Sequence, residues 1–253
     1  MATLGERATS FGRVADDYDR VRPGPPEAAL GWLLPADCRR AADLGAGTGL
    51  FTRALAGRVD EVVAVEPDQR MRRVLRDRSS GTHVVGGRAE SLPFRDGSLD
   101  AACASSSWHW VDPARAVPEV ARVLRDGGRL ALIWTSRDRE VDWVRGLDRL
   151  RTAPDREPDH QVAAQRRPRV VDLPEDAPLV DVTTASFTFT RRMSLDDVVR
   201  WLGTYSGMLT TPEDERVAGL QRARDALADR FGPDALIDVP MRSWCWRADR
   251  APR

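Results

Sequence analysis

Short apolar runs alternate with amphipathic stretches over the first two-thirds of the chain, the βαβ rhythm of a parallel sheet. The runs predict strands at Arg40–Leu44, Glu61–Val65, His83–Val85, Leu99–Ala104 and Arg129–Trp134. Between them, "TGLFTRALAGR" puts Leu50, Phe51, Ala54 and Leu55 on one helical face, and "DQRMRRVLRDR" does the same with Met71, Val74 and Leu75. The stretch "DPARAVPEVARVLRDGG" carries the fullest set of helix signals. Asp112 suits an N-cap, Pro113 the first helical position and Gly127-Gly128 the helix end. Its apolar face is Ala116, Val117, Val120, Val123 and Leu124, and Pro118 falls within the first two turns, where it is tolerated.

After Trp143 the rhythm breaks. Residues 151–178 hold five prolines among many charges, which predicts an irregular surface segment or flap. "VTTASFTFT" then reads as a strand. "SLDDVVRWLGTYSGML" reads as a helix capped by Ser194, and "TPEDERVAGLQRARDALADRFG" as another with Thr211 as N-cap and Pro212 in its first turn. A last strand over Val239–Arg247 returns to the sheet. No internal repeat is present.

Composition narrows the function classes. At 253 residues with 42% hydrophobic content, the chain can bury one large core and carry a sizeable cap. Basic and acidic residues number 39 each, and every basic one is arginine. A zero balance lacks the basic face expected of a dedicated nucleic-acid binder. Cys38, Cys103 and Cys245 are far apart, and no Cys/His cluster has metal spacing, so neither disulfides nor a metal are expected. The charged N-terminus and the lack of a long apolar run predict a soluble, cytoplasmic protein with no membrane span.

The chemistry concentrates in three places. "AADLGAGTGLF" follows the first strand and opens the first helix, and Gly45, Gly47 and Gly49 keep its turn open to a ligand's close approach. The spacing is G-x-G-x-G rather than the G-x-G-x-x-G that suits a pyrophosphate. Asp43 just before the loop suits an ammonium group, and Glu66, ending the second strand, can take both hydroxyls of a ribose. The ligand implied carries a ribose and an amino-acid end. The third place is "SSSWHWVDP" at the exit of the fourth strand, where Trp108, His109 and Trp110 either plug a core or line a site.

The run of "DLGAGTG", "VVAVEPD", "GGRAESLPF" and "EVARVLRDGGRLALI" resembles the class I S-adenosylmethionine-dependent methyltransferases. More narrowly it is similar to the small-molecule branch with trans-aconitate methyltransferase-like proteins, over roughly residues 10–145. That resemblance implies a Rossmann-like α/β fold. Its seven-stranded, mostly parallel sheet would have an antiparallel final strand, helices on both faces and a helical cap. It implies one domain over 1–253, with lid helices in 1–35, a cofactor-binding core in 36–150 and the cap in 190–235. S-adenosyl-L-methionine would be the cofactor, its methionine end held by Asp43, Gly45, Ala46 and Gly47. The ribose would lie on Glu66 with Pro67 beside it, the adenine between Ala89 and Glu90, and Ser105 would close the site.

The same resemblance makes "FGRVADDYDRVRPGPP" a lid segment, with Phe11 and Tyr18 as walls and Arg22 as a partner for an acidic acceptor. Trp108, His109 and Trp110 would face the acceptor, and Tyr205 and Ser206 would contact it from the cap. Methyl transfer from a sulfonium needs alignment and exclusion of water, and a general base only where the acceptor keeps its proton. His109 is the candidate base, with a wall role preferred. The predicted activity is methyl transfer to a small molecule in specialised metabolism, by a monomer or homodimer. A cofactor-binding module without catalysis, a methyltransferase acting on a macromolecule and a dinucleotide-dependent dehydrogenase are the alternatives. An Asn/Asp-Pro-Pro-aromatic run would favour a macromolecular substrate, and "SSSWHW" stands there instead.

Overall fold

A computed structural model describes residues 21–22, 24–151, 171–204 and 211–252. Seven strands form one sheet: β1 (Arg40–Leu44), β2 (Glu61–Val65), β3 (His83–Val85), β4 (Leu99–Ser105), β5 (Leu124–Arg137), β6 (Leu179–Ser194) and β7 (Leu236–Arg250), in the order β3-β2-β1-β4-β5-β7-β6. The pairings β3–β2, β2–β1, β1–β4 and β4–β5 are parallel. Along β5 the contacts to β7 run the other way: Arg129 meets Asp249 and Thr135 meets Ser243. Arg247 meets Thr183 and Arg192 meets Asp238, so β6 is also antiparallel to β7. This is the mostly parallel, seven-stranded sheet that the motifs imply.

The described residues divide into two compact units, one of residues 24–135, 171–187 and 243–252, the other of 21–22, 136–151, 188–204 and 211–242. In the first unit the period of two along the strands sorts side chains onto two faces. Ala42, Leu44, Ala102, Ala104, Leu130, Leu132, Trp134, Trp246 and Ala248 join one apolar cluster. Ala41, Ala101, Cys103, Ala131, Ile133 and Cys245 join the other. Helix α4 (Pro113–Val123) covers the first face with Ala116, Val117, Val120 and Val123. Helices α1 (Glu27–Leu33) and α2 (Leu50–Ala56) cover the second with Leu30, Leu33, Phe51 and Leu55. Helix α3 (Gln69–Arg78) lays Leu75 against Ala46 and Ala64.

The second unit packs α5 (Asp142–Arg151), α6 (Leu195–Gly203) and α7 (Glu213–Phe231) around Leu147, Val198, Trp201, Leu202, Ala223 and Leu227. Ser194 caps α6 by accepting the Asp197 N–H at 3.1 Å. Two arginines, Arg137 and Arg139, share the buried carboxylate of Asp148 on α5. Among the described residues, no helix is long and apolar enough to cross a membrane, and no group of His, Cys, Asp and Glu could hold a metal ion.

Three local expectations are corrected. Gly127-Gly128 does not end α4. The helix stops at Val123, Leu124 already pairs with Leu99 in the sheet, and Gly127, with φ +69°, belongs to the register shift that follows. The N-cap of α7 is Pro212 rather than Thr211, and Glu213, Asp214 and Glu215 supply negative charge to the first turn. Helix α5 lies where the pattern was read as breaking, although Trp143, Val144, Leu147 and Leu150 carry helical spacing. Of the proline-rich stretch 151–178, residues 152–170 lie outside the described residues. The remainder is irregular and at the surface, as expected, with half-buried Val171, Leu173 and Ala177 packed against the core.

Leu132 is fully buried at the centre of the first face. Leu132→Ala is expected to lower the unfolding free energy by about 2–5 kcal/mol, read from urea denaturation, with little change in the denaturant slope.

Candidate functional site

The carboxyl ends of β1 and β2 converge on the glycine loop. The register pairs Asp43 with Ala64 and Leu44 with Val65, so both strands stop together. The loop then folds back: the N–H groups of Gly45 and Ala46 both donate to the Val65 carbonyl, at 2.8 and 3.1 Å. Glu66, one residue later, is buried. Its Oε2 accepts the Gly47 N–H at 2.8 Å and its Oε1 the Asp68 N–H at 2.8 Å. Burial pushes the Glu66 carboxyl up, and these two backbone donors pull against that rise. Exposed Pro67 follows, and Asp68 caps α3 by accepting the Arg70 and Met71 N–H groups. Arg72 ties the turn by donating to the Glu66 and Pro67 carbonyls, both at 2.7 Å.

Asp43 is wholly buried. Thr52 Oγ1, in the first turn of α2, donates to its Oδ2 at 2.6 Å, while Oδ1 has no hydrogen-bond partner among the described residues. Burial pushes the Asp43 carboxyl up to about 7, with the Thr52 bond opposing and the nearby Glu66 charge adding to the rise. A carboxylate oxygen held dry and unmatched is costly unless something meets it.

The three glycines have different surroundings although all adopt positive φ, at +70°, +58° and +87°. A Cβ on Gly45 would come within 2.7 Å of the Ser107 Cβ, and one on Gly49 within 2.9 Å of Leu75. A Cβ on Gly47 would meet nothing within 4 Å. Gly47 alone opens onto free space.

At the exit of β4, Ser105 stays in the ladder opposite Ile133. Ser106 takes a positive φ of 54°, rare for a residue with a Cβ, and turns the chain. Ser107 then donates through Oγ to the Leu44 carbonyl at 2.7 Å, beneath the glycine loop. The next three residues form a 3₁₀ turn. Trp108 is 5% exposed and packs with Leu44, Val65, Ala89 and Val117, so it plugs the core. His109 is exposed and Trp110 half-buried, their rings tilted at 4.5 Å between centroids. Asp112 caps α4 by accepting the Ala114 N–H at 3.1 Å. Ala89 is buried in the same cluster as Trp108, and Glu90 Oε1 accepts the Asp112 N–H at 2.9 Å.

Of the other predicted acceptor contacts, Arg22 lies in the second unit and donates to Thr204 Oγ1 and the Thr204 carbonyl, at 3.3 and 3.2 Å, at the C-cap of α6. Tyr18 and Tyr205, like Phe11 and Ser206, lie outside the described residues. The structure thus brings Asp43, Gly45, Ala46, Gly47 and Glu66 together. It also adds Thr52 and Ser107, which sequence reasoning missed. Thr52 had a weak signal, a polar position on the apolar face of α2. For Ser107 the three-serine run gave no means of telling one from the next.

A family described as a methyltransferase domain matches residues 42–132, the stretch from β1 into β5. An uncharacterized methyltransferase of Mycobacterium tuberculosis is 42% identical over 223 residues, 88% of this chain and 87% of that protein. An uncharacterized methyltransferase of Schizosaccharomyces pombe is 27% identical over 209 residues, 79% of this chain and 80% of that one. Among solved structures, one described as a type II methyltransferase from Anaeromyxobacter dehalogenans superposes with a TM-score of 0.65 at 25% identity. It covers 92% of this chain and 99% of its own. The glycine loop, the acid ending β2 and these likenesses converge: the chain belongs to the class I S-adenosylmethionine-dependent methyltransferases.

Proposed function

We propose that the chain transfers a methyl group from S-adenosylmethionine to a small-molecule acceptor. The observation that carries the cofactor assignment is the buried Asp43 Oδ1, a negative acceptor with no partner among the described residues, at the end of β1. An ammonium group is the chemical match for it. Gly47, open where a Cβ would stand, leaves room for a ligand against the backbone. Each Glu66 oxygen accepts one backbone N–H and retains a lone pair for a ribose hydroxyl. The residues therefore fit the cofactor. On this reading Asp43, Gly45, Ala46 and Gly47 hold its methionine end, Glu66 and Pro67 its ribose, Ala89 and Glu90 its base, and Ser105 borders the site.

The bound cofactor supplies a methyl group already activated by a positive sulfur. The chain then has three tasks: to align the acceptor, to keep water out and to take a proton where the acceptor retains one. His109 and Trp110, paired at 4.5 Å and partly open, suit an acceptor wall, and the buried Trp108 braces them from the core. His109 serves first as wall, and as base where the acceptor keeps its proton. Arg22, Tyr18 and Tyr205 are the further acceptor contacts that the family resemblance implies. The balanced charge of the chain and the uncharged "SSSWHW" turn favour a small acceptor over a nucleic acid. A role in specialised metabolism, in the cytoplasm and as a monomer or homodimer, goes with that reading. A screen of small-molecule extracts with methyl-labelled cofactor tests it; label entering only protein or nucleic acid would overturn it.

Asp43→Ala and Glu66→Ala are each expected to weaken S-adenosylhomocysteine binding at least tenfold, about 1.4 kcal/mol, measured by calorimetry. Unchanged affinity would remove that residue from the site.

Affinity is also expected to depend on pH. In the free protein the Asp43 carboxyl titrates near pH 7, well above its ordinary value, because burial disfavours its charge. A ligand ammonium prefers the ionised form, so binding below about pH 7 must release a proton. Affinity should fall as the pH drops through this range, by up to about tenfold per unit, and Asp43→Asn should flatten the profile. With no ligand the sign reverses. The folded state alone takes up this proton between about pH 7 and 4, so this group adds stability as pH falls across that window. Titrations from about pH 5.5 to 8.5 read both effects, and a flat wild-type binding profile would contradict the assignment.

Once an acceptor is identified, His109→Gln separates wall from base. A wall role predicts a rate loss below about tenfold with an unaltered pH profile, and a base predicts about a hundredfold or more with loss of the acidic limb.

A further inference from the structure

The segment joining β3 to β4 has little regular structure, with an isolated bridge between Arg88 and Ser91. Its backbone groups must find partners elsewhere. Those of Leu92, Phe94 and Gly97 find them on α4, and a side chain ties the start of the loop to the same helix. At the start, Glu90 accepts the N–H of Asp112, the N-cap residue of α4. Further on, Glu119 Oε1 accepts the Leu92 N–H at 2.7 Å. Arg122 Nη2 donates to the Leu92 carbonyl at 3.2 Å, and its Nη1 donates to the Phe94 carbonyl at 2.9 Å and to Asp96 Oδ1 at 2.7 Å. The Gly97 N–H closes the loop on the Arg122 carbonyl at 2.9 Å.

Glu119 and Arg122 brace one another through two bonds of 2.8 Å, Nε to Oε2 and Nη2 to Oε1. The pair thus grips the loop mainly by its backbone, with Asp96 as a side-chain contact. Mutual pairing holds the Glu119 carboxyl down, and the Arg122 guanidinium keeps its charge at any working pH. Charge-assisted bonds to carbonyls are stronger than neutral ones, and the planar fork of arginine fixes their directions. Arg122 directs three bonds to this loop and two to Glu119.

We propose that Arg122, braced by Glu119, is a positioning residue for the base-binding end of the cofactor site. It touches no cofactor. It holds the 88–97 loop on α4 so that Ala89 and Glu90 stand where an adenine is recognised, and it rests on the assignment of those two residues given above. Because the other anchor of the loop is the N-cap of α4, the base-binding loop and the Trp108–Trp110 turn are registered on one helix.

The test compares binding of S-adenosylhomocysteine with that of S-inosylhomocysteine, which carries a carbonyl in place of the adenine amino group. Calorimetry is run on the full-length wild type, Arg122→Met, Arg122→Lys, Glu119→Gln and Glu90→Gln. The wild type is expected to prefer the adenine compound. Arg122→Met should weaken it about tenfold and bring the ratio of the two affinities towards one, with partial recovery in Arg122→Lys. A general loss of structure would weaken both compounds alike and leave their ratio unchanged. Should Arg122→Met fail to fold, the near-isosteric Glu119→Gln gives the same reading. A base-selective wild type whose ratio survives in both variants overturns the clamp alone. A wild type that does not distinguish the two bases, with Glu90→Gln without effect, overturns the assignment of residues 89–90 and the clamp with it.

Discussion

Two buried carboxylates, Asp43 and Glu66, end adjacent parallel strands, and the glycine loop is folded around that fact. Burial raises the cost of ionising both, and the Glu66 charge adds to that of Asp43, so each needs its own compensation. Glu66 obtains it from the Gly47 and Asp68 N–H groups, and in doing so pins the loop. Asp43 receives the hydroxyl and the backbone N–H of Thr52 and keeps Oδ1 unmatched among the described residues. On the proposed assignment, this asymmetry is what makes a structural turn a binding site. One acid completes the scaffold, and the other stores an unmet demand for positive charge. The parallel register of β1 and β2 decides it, since a slip of either strand by one residue would carry its acid away from the other.

Support for this arrangement comes from the small side chains of the central strands. Ala41, Ala42, Ala101, Ala102 and Ala131 let helices approach both faces closely, and the larger Leu130, Leu132 and Ile133 fill what they leave. The exit of β4 is then held by contact rather than by charge. Trp108 is driven into the core, and the strained Ser106 is tolerated because the sheet on one side and the indole on the other fix both its neighbours. His109 and Trp110 stay outward because Trp108 is inside.

Much of this was legible in the chain. The parallel strands β1 to β4 follow from apolar runs of the right length between glycine and proline signals, and the Asp112-Pro113 start of α4 follows from cap chemistry. Long strands were harder. β6 alternates so many exposed polar positions that only "VTTASFTFT" stood out, and β5 begins at Leu124, inside what reads as a helix end. Asp43, Glu66 and the glycines were readable because their spacing is local. Ser107, Thr52 and the Glu119–Arg122 pair were not, since each acts on a backbone group or carboxylate brought near only by the fold. An arginine among thirty-nine basic residues carries no mark of its partner.

Gly45 and Ser107 share one small volume, 62 positions apart in sequence: a methyl on the first would stand 2.7 Å from the β-carbon of the second. Neither position can therefore enlarge by itself. The loop after β1 and the exit of β4 must change together or remain as they are, and a graft of either segment from a relative would succeed only if its counterpart travelled with it.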